Sequence, residues 1–196
     1  TYMKIGVPKE IKSQENRIGL TPESVKILTS NGNEVMVENN GGFEAGFYNE
    51  QYKSAGAKIV DKAEDIFNDS EIIVKVKEPQ SSEVKMIKEN QIVFTYLHLA
   101  AAKELTKGLV DSKSVCIAYE TVTDNNGRLP LLAPMSAVAG RMSVQAGAHC
   151  LEKNQKGRGL LLGGAPGVDP GNVVILGGGV VGENAAIIAT GMKAKV

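Results

Sequence analysis

The chain has no tryptophan, two cysteines and two histidines among 196 residues, and its formal net charge is zero. Cys116 and Cys150 lie far apart, which gives neither a disulfide framework nor a metal-ligand spacing. They read as reduced thiols of a cytosolic protein. His98 and His149 stand alone, so no metal site is expected. With 22 basic residues against 22 acidic ones, no net field draws nucleic acid or an anionic membrane surface. No secretory signal opens the sequence, and Met3 reads as the natural start behind two added residues. Residues 160–182 carry a single charge, Asp169, but Pro166, Pro170 and eight glycines make a poor membrane helix. That stretch reads as loop, buried strand and tight turn. The expected location is cytoplasmic.

What is present is the composition of a globular protein, 42% hydrophobic and 22% charged, with a length that suits one domain plus part of another. Apolar runs alternate with helical patterns. Strands are expected over residues 4–7, 34–37, 58–60, 71–77, 91–97 and 114–118. Helices are expected over residues 49–55, 63–67, 82–88 and 100–110. Another helix opens at Thr21-Pro22-Glu23, with Thr21 as cap and Pro22 at the first helical position, and closes at Asn31-Gly32. Such alternation predicts an α/β fold: a parallel, doubly wound sheet with helices on both faces.

From Ser136 to about Lys153 the pattern predicts one long helix capped by Ser136. Ala137, Gly140, Ser143 and Gly147 share a face that would let another backbone come close. This divides the chain into a substrate domain over residues 3–135, a linker helix over residues 136–153, and the start of a nucleotide-binding domain over residues 154–196. In that last part a strand over residues 173–176 runs into Gly177-Gly178-Gly179-Val180-Val181-Gly182, and a helix follows through Met192. Gly177, Gly179 and Gly182 fit G-x-G-x-x-G. The first permits a tight turn, the second lets a pyrophosphate approach the backbone, and the third lets helix and strand pack closely. Strand before and helix after turn a weak pattern into a good dinucleotide signal. Its acidic ribose partner would fall just past Val196, so the spacing fits NAD and NADP alike.

Ligands of open parallel sheets bind beyond the carboxyl ends of the strands. Arg17 follows the first strand, Lys75 and Lys77 close the fourth, His98 follows the fifth and Glu120 the sixth. Taken singly, these are a surface arginine, solvated edge lysines, a satisfied histidine and a carboxylate that orients a neighbour. Jointly they suit carboxylate recognition with proton transfer. Arginine offers a planar fork to a carboxylate, lysine polarises a carbonyl, and histidine exchanges a proton near neutral pH.

Residues 3–10 with Glu15-Asn16-Arg17 and Leu20-Thr21-Pro22, the segment Val74-Lys75-Val76-Lys77-Glu78-Pro79, Tyr96-Leu97-His98-Leu99-Ala100, Ala118-Tyr119-Glu120-Thr121-Val122 and Leu132-Ala133-Pro134-Met135-Ser136 resemble alanine dehydrogenases of the alanine dehydrogenase/transhydrogenase family. The resemblance runs from Met3 to Val196 and covers the first half of that family only. It implies reversible oxidative deamination of L-alanine to pyruvate and ammonia with NAD, in a hexamer of two-domain subunits. It further implies that Arg17 and Lys77 bind substrate, that His98 is the acid/base residue, that Ser136 touches the cofactor, and that Gly177, Gly179 and Gly182 form the phosphate loop. The family's catalytic aspartate and ribose acid have no counterpart, so this chain alone is expected to lack turnover. Two alternatives stand beside this reading: a non-catalytic keto-acid binding fragment, and the soluble nucleotide-binding part of a proton-pumping transhydrogenase. The Tyr96–Leu99 and Leu132–Ser136 signatures favour the dehydrogenase.

Overall fold

A computed structural model describes residues 2–196, which form two compact units, one up to Val122 and the other Thr123–Val196. The first unit is built on six strands: β1 (Lys4–Val7), β2 (Glu34–Glu38), β3 (Lys58–Val60), β4 (Ile72–Val74), β5 (Ile92–Thr95) and β6 (Val115–Ala118). All pair in parallel, in the order β3-β2-β1-β4-β5-β6. The chain winds outward from β1 and then restarts on its other side, so the topological switch point lies between β1 and β4. Between the strands run α1 (Pro22–Ser30), α2 (Asn49–Ser54), α3 (Ala63–Asp69), α4 (Ser81–Val84) and α5 (Lys103–Ser112).

The period-two alternation of each strand sorts the core into two layers. Ile5, Val7, Val35, Val37 and Val74 face Val25 of α1, Tyr52 of α2 and Ala55 at the end of that helix. Met36, Ile73 and Val93 face the other way, against Ile66 and Phe67 of α3 and Leu109 of α5. Strands covered on both faces are near-continuous apolar runs, which is why the pattern reads so plainly. Thr21 caps α1 as the sequence predicts, accepting the Ser24 amide at 3.3 Å. Two strands are shorter than expected. The fourth ends at Val74 and the fifth at Thr95; just beyond, Lys75 N still donates to Phe94 O and Tyr96 N to Val76 O, while the amides of Val76 and Leu97 turn to the carboxylates of Glu10 and Glu120.

The second unit holds α6 (Ala133–Cys150) and α7 (Val180–Gly191). Two expectations are corrected here. Ser136 is not a helix cap: α6 begins at Ala133, with Pro134 in its first turn, and the Ser136 amide already donates to Leu132 O at 3.1 Å. Proline's fixed φ is suited to that opening turn. Residues 173–176 form no laddered strand. Their pairing is one parallel bridge, Asn172 to Lys195, with Val173 N donating to Lys195 O at 2.7 Å. Val173 and Ile175 pack on the unit's small core around Val144, Leu162, Ala185 and Ala189. Val174 and Leu176 on the other face are 83% and 94% exposed, so this segment is not the buried strand its composition suggests.

Gly140 is where α6 and α7 meet. A Cβ on it would lie 2.3 Å from Val181 O, so only glycine permits this approach. Gly147, on the same sequence-predicted face, has nothing within 4 Å of its Cβ position. The packed face of α6 therefore runs through Val144 and Ala148 and leaves Gly147 aside.

Candidate functional site

In the first unit, the loop between β1 and α1 carries Arg17 to the carboxyl edge of the sheet. Glu15 fixes the guanidinium there, accepting from Nε at 2.7 Å and from the terminal nitrogen at 2.6 Å. Arg17 hydrogen bonding holds the Glu15 carboxyl down at about 2, against the opposing effect of burial, and the charge of Lys77 adds to the lowering. Arg17 and Lys77 thus both act on one carboxylate.

The two lysines after β4 have opposite fates. Lys75 is 1% exposed and lies between Glu10 at 3.1 Å and Glu83 at 2.7 Å. Burial pushes the Glu83 carboxyl up, with Lys75 working against that rise. A lysine so enclosed cannot reach a ligand. Lys77, two residues on, is only half-buried, and its backbone is held from both sides: its amide points at Glu10 Oε1 (3.4 Å), and its carbonyl accepts the Thr95 hydroxyl at 2.9 Å.

His98 follows β5, exposed, in the left-handed region at φ +51°. Few non-glycine residues sit there, and the conformation costs about 1–2 kcal/mol. Tyr96 stacks beside its ring at a centroid distance of 6.1 Å and an interplanar angle of 14°, and is itself braced edge-on by Tyr119 at 4.9 Å. Glu120 closes the turn by accepting the amides of His98 at 2.8 Å and Leu97 at 3.0 Å. Burial raises the Glu120 pKa, but those amide protons and the His98 charge outweigh it, leaving the carboxyl below its ordinary range. His98, Glu120, Leu97 and Ala118 line an open pocket of about 440 Å³.

In the second unit the glycine motif leads into α7 and forms its cap. Gly177 takes φ +100°, open only to glycine at little cost, and a Cβ on Gly182 would stand 2.0 Å from Gly177 O. Gly179 caps α7 without a side chain, and a Cβ there would meet nothing within 4 Å. The helix N-terminus therefore opens on space bordered by backbone, suited to an anion. Gly177, Gly179, Gly182 and the half-buried Ser136 line one cavity of about 740 Å³.

Sequence reasoning passed over Glu10, Glu15 and Tyr96. The Glu-x-Arg spacing at residues 15–17 was the signal for one of them. The other two depend on long-range packing.

A family model described as "Alanine dehydrogenase/PNT, N-terminal domain" matches residues 6–139, and one described as "Alanine dehydrogenase/PNT, C-terminal domain" matches residues 143–196. The chain belongs to the alanine dehydrogenase/PNT family. It is 55% identical over 194 residues to an alanine dehydrogenase of Halomonas elongata, covering 99% of this chain and 52% of the relative. A relative of the same name from Bacillus subtilis is 53% identical over 194 residues, covering 99% of this chain and 51% of its own length. The chain spans about half the length of the curated relatives it matches. A solved L-alanine dehydrogenase superposes with a TM-score of 0.94 at 55% identity, covering 99% of this chain and 54% of the other. The transhydrogenase of Sinorhizobium meliloti superposes with a TM-score of 0.82 at 23% identity, over 97% of this chain and 54% of the other, and shares the fold.

Proposed function

We propose that this chain is the substrate-binding part of an NAD-dependent alanine dehydrogenase, which oxidises L-alanine to pyruvate and ammonia and runs in both directions. The observation that carries the reading is the placement of Arg17, Lys77 and His98 at the carboxyl ends of β1, β4 and β5 in one parallel sheet. Arg17, held by Glu15, presents a planar donor set to the substrate carboxylate. Lys77 sets an ammonium at the oxygen of the keto acid. His98 gives or takes the proton that accompanies interconversion of amine, water and carbonyl.

The loop at Gly177, Gly179 and Gly182 supports a dinucleotide, since its backbone leaves room for a pyrophosphate at the start of α7, and Ser136 borders the same cavity. When bound, a nicotinamide would take up the hydride that leaves the substrate carbon. The family resemblance further supports a cytoplasmic homohexamer for the intact enzyme.

Titration calorimetry of the chain with pyruvate tests the reading. Arg17→Ala and Lys77→Ala are each expected to weaken binding at least tenfold, the equivalent of about 1.4 kcal/mol lost with one charge-assisted contact. Unchanged affinity in both variants rejects it. In a steady-state assay with alanine and NAD the chain is expected to bind without turning over, since no laddered sheet supports its glycine loop.

A further inference from the structure

Glu10 lies in the loop that carries Arg17, yet its side chain is buried and points across the switch point. Its Oε1 accepts the Val76 amide at 2.6 Å and faces the Lys77 amide at 3.4 Å, while its Oε2 accepts from Lys75 Nζ at 3.1 Å. Lys75 in turn pairs with Glu83, whose other oxygen accepts the Gln80 amide at 2.7 Å at the start of α4. Two further contacts seat the same loop on β4 and the residues after it: Lys12 pairs with Glu78, and a Cβ on Gly19 would come within 2.5 Å of Val74 O. Beyond Val74 two backbone bonds still join the β5 segment, Lys75 N to Phe94 O at 3.1 Å and Tyr96 N to Val76 O at 3.3 Å, but the Val76 and Lys77 amides and the Lys77 carbonyl are taken by side chains. The carboxylate of Glu10 is a main one, and it comes from the loop that presents Arg17.

We propose that Glu10 is a positioning residue for substrate recognition: by binding the amides of Val76 and Lys77 it sets the spacing between the Arg17 loop and Lys77. This rests on the reading of Arg17 and Lys77 as the substrate-binding pair. Glu10 itself touches no substrate, because it is 6% exposed and its oxygens are committed to backbone and Lys75. The buried triad also explains why a lysine follows the apolar strand directly at residue 75: an ammonium there neutralises the carboxylate the backbone needs.

The test is pyruvate binding by calorimetry on the full chain, with thermal melting to establish that each variant is folded. Glu10→Ala removes every acceptor and is expected to weaken pyruvate binding at least tenfold at a temperature where the chain remains folded. Glu10→Gln keeps an amide oxygen for Val76 and Lys77, and is expected to stay within about threefold of the parent while melting lower. If Glu10→Ala does not fold, the balanced replacement Glu10→Leu with Lys75→Met and Glu83→Leu substitutes for it, since buried ion groups exchanged together for apolar ones often keep stability. The same tenfold loss is expected. Parental affinity in folded Glu10→Ala, or in the folded triple variant that stands in for it, overturns the proposal. Lys77→Ala separates the two levels. If it weakens binding while folded Glu10 variants do not, the positioning role alone falls. If the parent binds no pyruvate, or Lys77→Ala and Arg17→Ala bind as the parent does, the substrate reading falls and this proposal with it.

Discussion

Glu120 accepts the amide of His98 at 2.8 Å, so a carboxylate following β6 holds in place the strained turn that presents the imidazole after β5. The same group takes the buried Leu97 amide. Glu120→Ala leaves both donors without that acceptor, at a cost of about 1–3 kcal/mol. Urea denaturation at neutral pH is expected to show that loss. Because the folded Glu120 pKa is depressed, its contribution is present above the ordinary carboxylate range and fades as pH falls through it. The gap between parent and variant should narrow on acidification, and a constant gap would contradict the role given to the charge.

The Glu15–Arg17 pair has its own acid signature. The Glu15 carboxyl titrates at about 2 when folded, against an ordinary 4.5, so the folded state holds its proton less tightly than the unfolded one. Its stabilisation is complete above about 4.5 and is lost as pH falls toward about 2. Arg17 is half exposed, so the pair contributes about 1 kcal/mol or less. Melting of Glu15→Gln beside the parent is expected to differ at pH 7 and to draw together as pH falls toward about 2. Divergence toward acid would reverse the sign and refute the pairing.

Two glycines on α6 should respond in opposite directions. Gly140→Ala forces a methyl against Val181 O and is expected to destabilise the second unit by about 1–3 kcal/mol. Gly147→Ala has open space and gains helix propensity of up to about 1 kcal/mol. Thermal melts of the two variants decide this, and equal effects would show that α6 does not pack as described.

The proposed phosphate loop can be probed without touching the sheet. Gly182→Ala drives a methyl into Gly177 O, while Gly179→Ala meets no protein atom. Fluorescence titration with NADH should therefore find both variants weakened for different reasons. Gly182→Ala is expected to lower the melting temperature as well, through overpacking worth about 1–3 kcal/mol. Gly179→Ala should melt like the parent and lose affinity only because its methyl occupies the ligand's space. Full affinity in Gly179→Ala would remove the loop from the dinucleotide site.

Much of the fold was legible in advance. The strand cores around Ile5, Val35, Ile73, Val93 and Cys116 appear as apolar runs, and the cap at Thr21-Pro22 marks α1, because these signals are local. Arg17, Lys77 and His98 could be assigned to one edge since each follows a strand, and parallel strands send their following residues to the same side. Other features were decided only by the tertiary structure. Lys75 and Lys77 look equivalent in sequence, and strand alternation would give them one face, yet one is buried between Glu10 and Glu83 and the other is left half-open, because those two carboxylates, brought in by other elements, enclose only Lys75. Residues 173–176 have the composition of a buried strand, but a ladder is a property of partners, and here a single bridge to Lys195 supplies the pairing. The sequence by itself determined which groups could bind a carboxylate and a phosphate. Long-range contacts, made between residues up to 67 positions apart, decided which of those groups are presented and which hold the others in place.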